Sequence, residues 1–522
     1  REFSIFKCKV QRSWMGKVEF KVAVEPHQLL WLHDALRIYN LPDLGKTLRC
    51  LITYVQREEN DADVFGKTRS KPHHGQPGKV EQAFNVESEQ EVWLKEKATQ
   101  HKLPDVGKVV RILLEYGMLV ADPAEVFGVI RKMARSAAQG GGVGQISPFK
   151  LERWFAKYEF TAPYLLCCSD CEAMSMKELL AIGDAESLQR WESLSLGYTE
   201  SAGLPALLTE IASTYDTTTA EDILVVVPEE GIFLTMLALL KPGDHVVATY
   251  PGYQSLFEVA RSIGCHVDMW TPEPTDGGLH FNVDTLKELM KPSTRLVAVN
   301  FPHNPSGFIP SPAAWALIVD AVKAADDCFL FSDEMYRGLE FEESARLASG
   351  VDQYAKAITL CGMSKVYALP GLRIGWLATR NAALLNRIKE LKDYTTICSS
   401  APSEVLALMG LRAREQIIVR NMSCMRANLA LLEAFFAKHN DKFRWSPPHG
   451  GTVCFPELIT GESSDEWCQA LVEQEGILLL PAAAYDYQPQ DGRQHFRIGF
   501  ARNNMPEVLN LLDTWLAKRT KG

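Results

Sequence analysis

Six short apolar runs recur in the second half of this 522-residue chain, at 223–227, 245–249, 296–300, 329–332, 357–361 and 374–377. A strand with one wet face alternates apolar and polar side chains, whereas a strand buried on both faces reads as a continuous apolar run. Runs this short, separated by stretches long enough for helices, predict an α/β fold: strands and helices alternate around one sheet covered on both faces. The expectation is a three-layer large domain over about 198–394. In open α/β sheets ligands collect beyond the carboxyl ends of the strands, so the polar residues that close these runs are the place to look for chemistry.

Three of those ends carry motifs. Asn304-Pro305-Ser306-Gly307 follows the run 296–300, and Asp333-Glu334-Met335-Tyr336 follows 329–332. Ser364-Lys365 follows 357–361, with Pro370-Gly371 and then Arg373 eight residues after the lysine. Singly, Asn-Pro-Ser-Gly is a turn and a strand-end aspartate is a helix cap. In this order they form a set with one chemistry in common. A lysine amine condenses with the aldehyde of pyridoxal phosphate, and a guanidinium grips a phosphate through two parallel hydrogen bonds, which an ammonium cannot do. A buried aspartate beneath the pyridine nitrogen keeps it protonated, so that the ring draws electrons. Asn304 and Tyr336 are placed to bond the ring's phenolic oxygen.

On these motifs the chain resembles, from about Phe149 to its end, the class I/II aminotransferases, which are fold-type I pyridoxal phosphate enzymes. The resemblance implies a domain over 148–522, with an aminotransferase-like large domain and a split small α+β domain drawn from about 149–190 and 402–522. It also implies that Tyr253 stacks on the cofactor ring. Arg497, in Phe496-Arg497-Ile498-Gly499, matches the arginine that forks onto the substrate α-carboxylate, with Asn304 beside it. Tyr198 matches the tyrosine that reaches the neighbouring subunit's phosphate, which implies a homodimer. The stretch from 151–155 through Ser169-Asp170-Cys171-Glu172 resembles the segment that folds over the substrate. Two positions depart from the family's pattern. The loop that should precede a phosphate-holding helix reads Val227-Pro228-Glu229-Glu230-Gly231, where Pro228 has no N–H to give. Gly362 stands where many relatives carry a serine. The phosphate is then left to the amides of Glu229 and Glu230 with Ser364, Arg373 and Tyr198.

Lys365, Asp333 and Tyr253 would carry the reaction implied, transfer of an α-amino group between an amino acid and a 2-oxo acid. Two alternatives stay open. One is another pyridoxal phosphate reaction on the same fold, by a lyase, cyclase or oxidase. The other is a transcriptional regulator that fuses a DNA-binding module to this fold.

That second alternative arises from the first 140 residues, where a unit is duplicated. Gly16-Lys17-Val18-Glu19 recurs as Gly78-Lys79-Val80-Glu81, and Leu41-Pro42-Asp43 as Leu103-Pro104-Asp105, at a constant offset of 62 residues. Trp31-Leu32 returns as Trp93-Leu94, and Val64-Phe65-Gly66 as Val126-Phe127-Gly128. A fixed offset is the mark of tandem duplication. Residues 1–15 stay unassigned, and the copies span 16–76 and 78–138. Each reads as a strand, with Val18, Phe20, Val22 and Val24 on one face, then a helix opened by Pro26, a break at Leu41-Pro42-Asp43 and a second helix. This order resembles a ribbon-helix-helix unit, of which two copies would make an intramolecular pseudo-dimer. Such ribbons read DNA in the major groove. Here the outward positions would be Glu19, Lys21, Ala23, Glu81, Ala83 and Asn85, a poor set for contacting phosphates, and no DNA partner is expected. The glycine-rich stretch 139–147 reads as a linker.

Composition adds bounds. Net charge of −10 opposes general nucleic-acid affinity. Twelve cysteines in so long a chain fit reduced thiols and a cytoplasmic setting, although a targeting peptide before Arg1 would not be visible. Cys168-x-x-Cys171 has no second pair at zinc spacing, so no metal is expected. No apolar run is long enough to span a membrane.

Overall fold

The computed structural model of the chain describes residues 11–12, 17–38, 41, 43–58, 64–65, 80–119, 146–275, 278–325, 327–487 and 492–519. It divides into two compact units, Arg1–Gly144 and Gln145–Gly522. Of the expected linker only 146–147 lies within the described residues.

In the first unit, strand β1 (Gln11–Arg12) pairs with β2 (Lys17–Val24), and β2 pairs antiparallel with β3 (Val80–Glu87). Among the described residues the helices α1 (Pro26–Ile38), α2 (Leu44–Glu58), α3 (Ser88–Gln100) and α4 (Val106–Leu119) accompany them. Phe20, Val22, Val24, Phe84 and Val86 all bury on one side of the β2–β3 ribbon, against Leu48, Leu51, Val109 and Leu113. The pairing has the symmetry of the duplication. Lys21 faces Ala83, its own counterpart 62 residues on, at the centre of the ladder. Arg49 reaches the carbonyl of Asn85, and its counterpart Arg111 reaches that of Ala23. Asp43 and Asp105 each accept an amide three residues on, at 2.6 Å, and so open α2 and α4 in the same way. Lys21, Ala23, Glu81, Ala83 and Asn85 are exposed, as expected of the outer face. The side chain of Glu19 lies outside the described residues, as do the expected repeat Val126-Phe127-Gly128 and residue 66.

The second unit is built on a seven-stranded sheet. Its strands are β4 (Ile223–Val226), β5 (His245–Thr249), β6 (His266–Trp270), β7 (Thr294–Asn300), β8 (Phe329–Asp333), β9 (Ala357–Gly362) and β10 (Gly375–Ala378). Their order across the sheet is β4-β10-β9-β8-β7-β5-β6. The α/β class expected from the apolar runs is the one observed. All six runs are strands, with ends that move by one or two residues. The edge strand β6 was missed, because its half-exposed sequence His266-Val267-Asp268 does not read as a buried run.

Only β10 is antiparallel, to β9 on one side and β4 on the other. Its beginning therefore lies at the sheet edge where the other strands end, with Gly375 opposite both Gly362 and Val226. That single reversal carries Arg373, which precedes a strand, to the edge occupied by residues that follow strands. Helices cover both faces, including α6 (Pro228–Leu239), which begins immediately after β4. A separate small sheet includes β11 (Gln494–Gly499), and α5 (Lys150–Tyr158) buries Leu151 and Phe155 in the cluster around Phe455 and Tyr485.

Candidate active site

The carboxyl ends of β7, β8 and β9 converge on one pocket. Asn300 and Asp333 are paired neighbours in register, and Asn300 Nδ2 donates to the Asp333 carbonyl at 3.1 Å. Asn300 Oδ1 accepts the amide of Asn304 at 2.8 Å, so the end of β7 sets the turn that follows it. His303 ties that turn to the loop before Tyr253: Nδ1 pairs with Ser306 Oγ and Nε2 with the Pro251 carbonyl. Burial lowers its pKa to about 3, which keeps the ring neutral.

Asp333 is buried, and its Oδ1 accepts the Met335 amide at 3.1 Å. Burial pushes its pKa up to about 7, against the opposing amide bond and the nearby Lys365 charge. Lys365 is half-buried, and its Nζ donates to Ser169 Oγ at 2.9 Å. Burial lowers its proton affinity, with the Asp170 carboxylate working the other way. Burial pushes the Tyr336 phenol's pKa up, and the Ser169 side chain works the other way.

Arg497 lies at the other side of the pocket and is 1% exposed. Its Nε donates to the Cys167 carbonyl at 3.0 Å, and Nη1 donates to Asn304 Oδ1 at 3.1 Å and to the Tyr485 hydroxyl at 2.6 Å. Nη2 is buried without a partner. A buried guanidinium with two nitrogens spent and one free suits an anion that enters from outside.

At the end of β4, Pro228 opens α6 at a position where its missing N–H costs nothing. The Gly231 amide bonds the Val227 carbonyl, which leaves Glu229 and Glu230 with the free first-turn amides. The Glu229 carboxyl accepts the Ser255 hydroxyl, and burial raises its proton affinity. The Glu230 side chain is held by Thr395 and Thr396 and faces back to the Val227 amide. Tyr253 packs on Phe149 with ring centroids 5.0 Å apart. Arg373 is exposed, with a left-handed backbone (φ 55°) fixed by the turn from Pro370, and its charge acts on both Glu229 and Lys365. Ser364 is buried beside Lys365.

These groups fit pyridoxal phosphate. Asp333 is a buried carboxyl whose burial a protonated ring nitrogen would relieve. Two free helix amides with Arg373 suit a phosphate, and Lys365 is an amine whose charged form burial disfavours. The structure brings Lys365, Asp333, Tyr336, Asn304, Arg497, Tyr253, Glu229 and Arg373 to one edge. It does not bring in Tyr198, which is 94% exposed.

Sequence reasoning missed Ser169, Asn300 and Tyr485. Asn300 closes an apolar run and was visible as such. Ser169 and Tyr485 carry no local signal.

The sequence profile of Aminotransferase class I and II matches residues 166–514. Capreomycidine synthase of Streptomyces vinaceus is 27% identical over 272 residues, which cover 52% of this chain and 68% of that protein. A probable N-succinyldiaminopimelate aminotransferase of Mycobacterium tuberculosis is 28% identical over 279 residues, with the same coverage of 52% and 68%. Among solved structures, a PLP-dependent aminotransferase from Streptococcus suis is 26% identical with a TM-score of 0.66, covering 72% of this chain and 98% of that one. A PLP-dependent cyclase is 27% identical with a TM-score of 0.65 and the same coverage.

Proposed function

The chain belongs to the class I and II aminotransferases, and from that premise we propose that it is a transaminase moving an α-amino group between an amino acid and a 2-oxo acid. It is a pyridoxal phosphate-dependent enzyme of the aminotransferase fold. The observation that carries the finer reading is Arg497 Nη2, buried and unpartnered in the same pocket as Lys365. An α-carboxylate there would present its Cα to the lysine.

In this reading Lys365 holds the aldehyde, Asp333 the ring nitrogen and Tyr253 the ring face. The amides of Glu229 and Glu230, with Ser364 and Arg373, hold the phosphate. Bound cofactor supplies an aldehyde that takes the substrate amine and a protonated ring that accepts the electron pair left when the Cα–H bond breaks. Lys365, its ammonium disfavoured by burial, then carries the proton away from Cα as a general base. Arg497 and Asn304 fix the carboxylate, and Tyr336 stands by the phenolic oxygen. A homodimer is part of the reading, because Tyr198 and Tyr394 are 94% and 91% exposed in the single chain and Tyr198 would serve the neighbouring subunit's phosphate.

A second reading, a cyclase or related pyridoxal phosphate enzyme, is favoured by the resemblance to capreomycidine synthase and to the cyclase structure. The regulator reading has less support, since Lys21 on the ribbon face is paired with Glu81 at 3.6 Å. The test is to incubate cofactor-loaded protein with a panel of amino acids, with and without 2-oxo acids. Pyridoxamine phosphate and a matching 2-oxo acid are expected. Consumption of an amino acid with neither product would overturn transamination in favour of the second reading.

A further inference from the structure

We propose that Ser169 is a positioning residue for Lys365: its hydroxyl holds the lysine amine. The inference deepens the transaminase reading and rests on Lys365 being its base. A lysine side chain is a charge on four freely rotating carbons, so something must aim it. Here the acceptor is Ser169 Oγ, 2.9 Å from Nζ, on a segment 196 residues away in sequence that no cofactor motif contains. The Tyr336 phenol, just past the end of β8, is close enough to the same serine for Ser169 to ease its ionisation.

The segment bearing Ser169 is fastened on both sides of it. The Leu166 carbonyl accepts the Gly499 amide at 2.9 Å, and the Glu172 amide donates to the Ala501 carbonyl at 2.8 Å. Thr452 Oγ1 donates to the Ser169 carbonyl at 2.7 Å. Asp170 takes Arg502 Nη2 with both oxygens at 3.0 Å. Approach to β11 is so close that a Cβ at Gly499 would lie 1.8 Å from the Cys168 carbonyl oxygen. The same segment gives its Cys167 carbonyl to Arg497 Nε. One short stretch of chain therefore fixes both the guanidinium for the carboxylate and the amine for the proton. Their relative position, on which a proton transfer depends steeply, is set by this segment.

Ser169 accepts an N–H and stabilises the charged amine more than the neutral one. The other groups acting on Lys365 are Asp170, Arg497, Cys168 and Arg373, with Asp333 and Glu159 coupled to it from their side. None of them is altered by removing one hydroxyl.

The test uses Ser169→Ala, Ser169→Gly and Ser169→Thr. In cofactor-free protein, the pH dependence of arylation of Lys365 by trinitrobenzenesulfonate is followed by peptide mapping. Loss of the hydroxyl should move the midpoint down by about one pH unit, a tenfold change in proton affinity, and Thr should restore it. In loaded protein, Ala and Gly should lower kcat about tenfold while KM changes less than about twofold. An unshifted arylation midpoint in both Ala and Gly, with kcat unchanged, would overturn the role. So would a Thr variant that behaves as Ala does. Arylation needs no turnover, so a failure of the transaminase reading leaves this arm intact and distinguishable.

Discussion

At the scale of single residues, Asp333 is the group whose environment departs most usefully from its ordinary chemistry. Its folded pKa is about 7 because burial outweighs the one amide it accepts, whereas an unfolded aspartate titrates near ~3.9. The folded state thus keeps a proton that the unfolded state has lost. The stability this contributes is complete below about pH 4 and is lost as pH rises through 7. The loss is at most on the order of 4 kcal/mol. Cofactor-free protein should therefore weaken relative to its Asp333→Asn variant as pH climbs from 5 to 8, read as a widening gap between their thermal midpoints. Loading the cofactor should narrow that gap, because a protonated ring nitrogen gives the carboxylate a partner. A gap that stays constant over this range would show that Asp333 is already ionised at pH 5.

At the scale of elements, the two departures from the family's pattern turn out to be one packing solution. Gly362 ends β9 directly opposite Gly375, which begins β10. A Cβ on Gly362 would meet Gly375 Cα at 3.0 Å and Pro228 Cγ at 3.2 Å, and one on Gly375 would meet Pro228 Cγ at 2.7 Å. The ring that opens α6 therefore shares with the backbone at Ile374 and Gly375 the space that a side chain at 362 would need. A proline at the head of the helix and a glycine before Ser364-Lys365 belong together. Gly362→Ala alone should destabilise the protein by about 1–3 kcal/mol through overpacking and weaken cofactor binding. Pro228→Ala should recover part of both, since it clears the space and adds an amide at the helix start. Thermal unfolding and titration of cofactor into the cofactor-free protein would measure the cycle. Strict additivity of the two changes would refute the coupling.

At the scale of the whole molecule, each unit has its own core, the first around Phe20, Phe84 and Leu113, the second around the seven-stranded sheet. The second unit's chain is fastened before its first helix. Ser147 donates its amide to Glu258, Lys150 donates its amide to Gln254, and Gln254 returns a bond to the Pro148 carbonyl. Phe149 backs Tyr253. A chain starting at 142 should therefore fold and bind cofactor with near-normal affinity, while one starting at Leu151 should lose the backing of Tyr253 and bind several-fold more weakly. Equal affinities for the two would show that this strap has no part in forming the site.

What the sequence determined by itself is what short-range physics controls. Short continuous apolar runs separated by helix-length stretches read as strands covered on both faces, and the motifs at their ends land at the ligand edge. A repeat at constant offset gave two copies whose strand faces and helix-opening aspartates match. Edge strand β6 escaped because an edge is half wet and loses the run. The tertiary structure alone decided the rest. It turned β10 against its neighbours and so brought Arg373 to the site. It laid Ser169 on Lys365 and Tyr485 on Asn304, groups 196 and 181 residues apart. It also left Arg497 one unspent amino group. Neither a hydrogen bond across such separations nor the burial that sets the proton affinities of Asp333 and Lys365 is encoded in any local pattern, because both depend on which distant segments exclude water from the pocket.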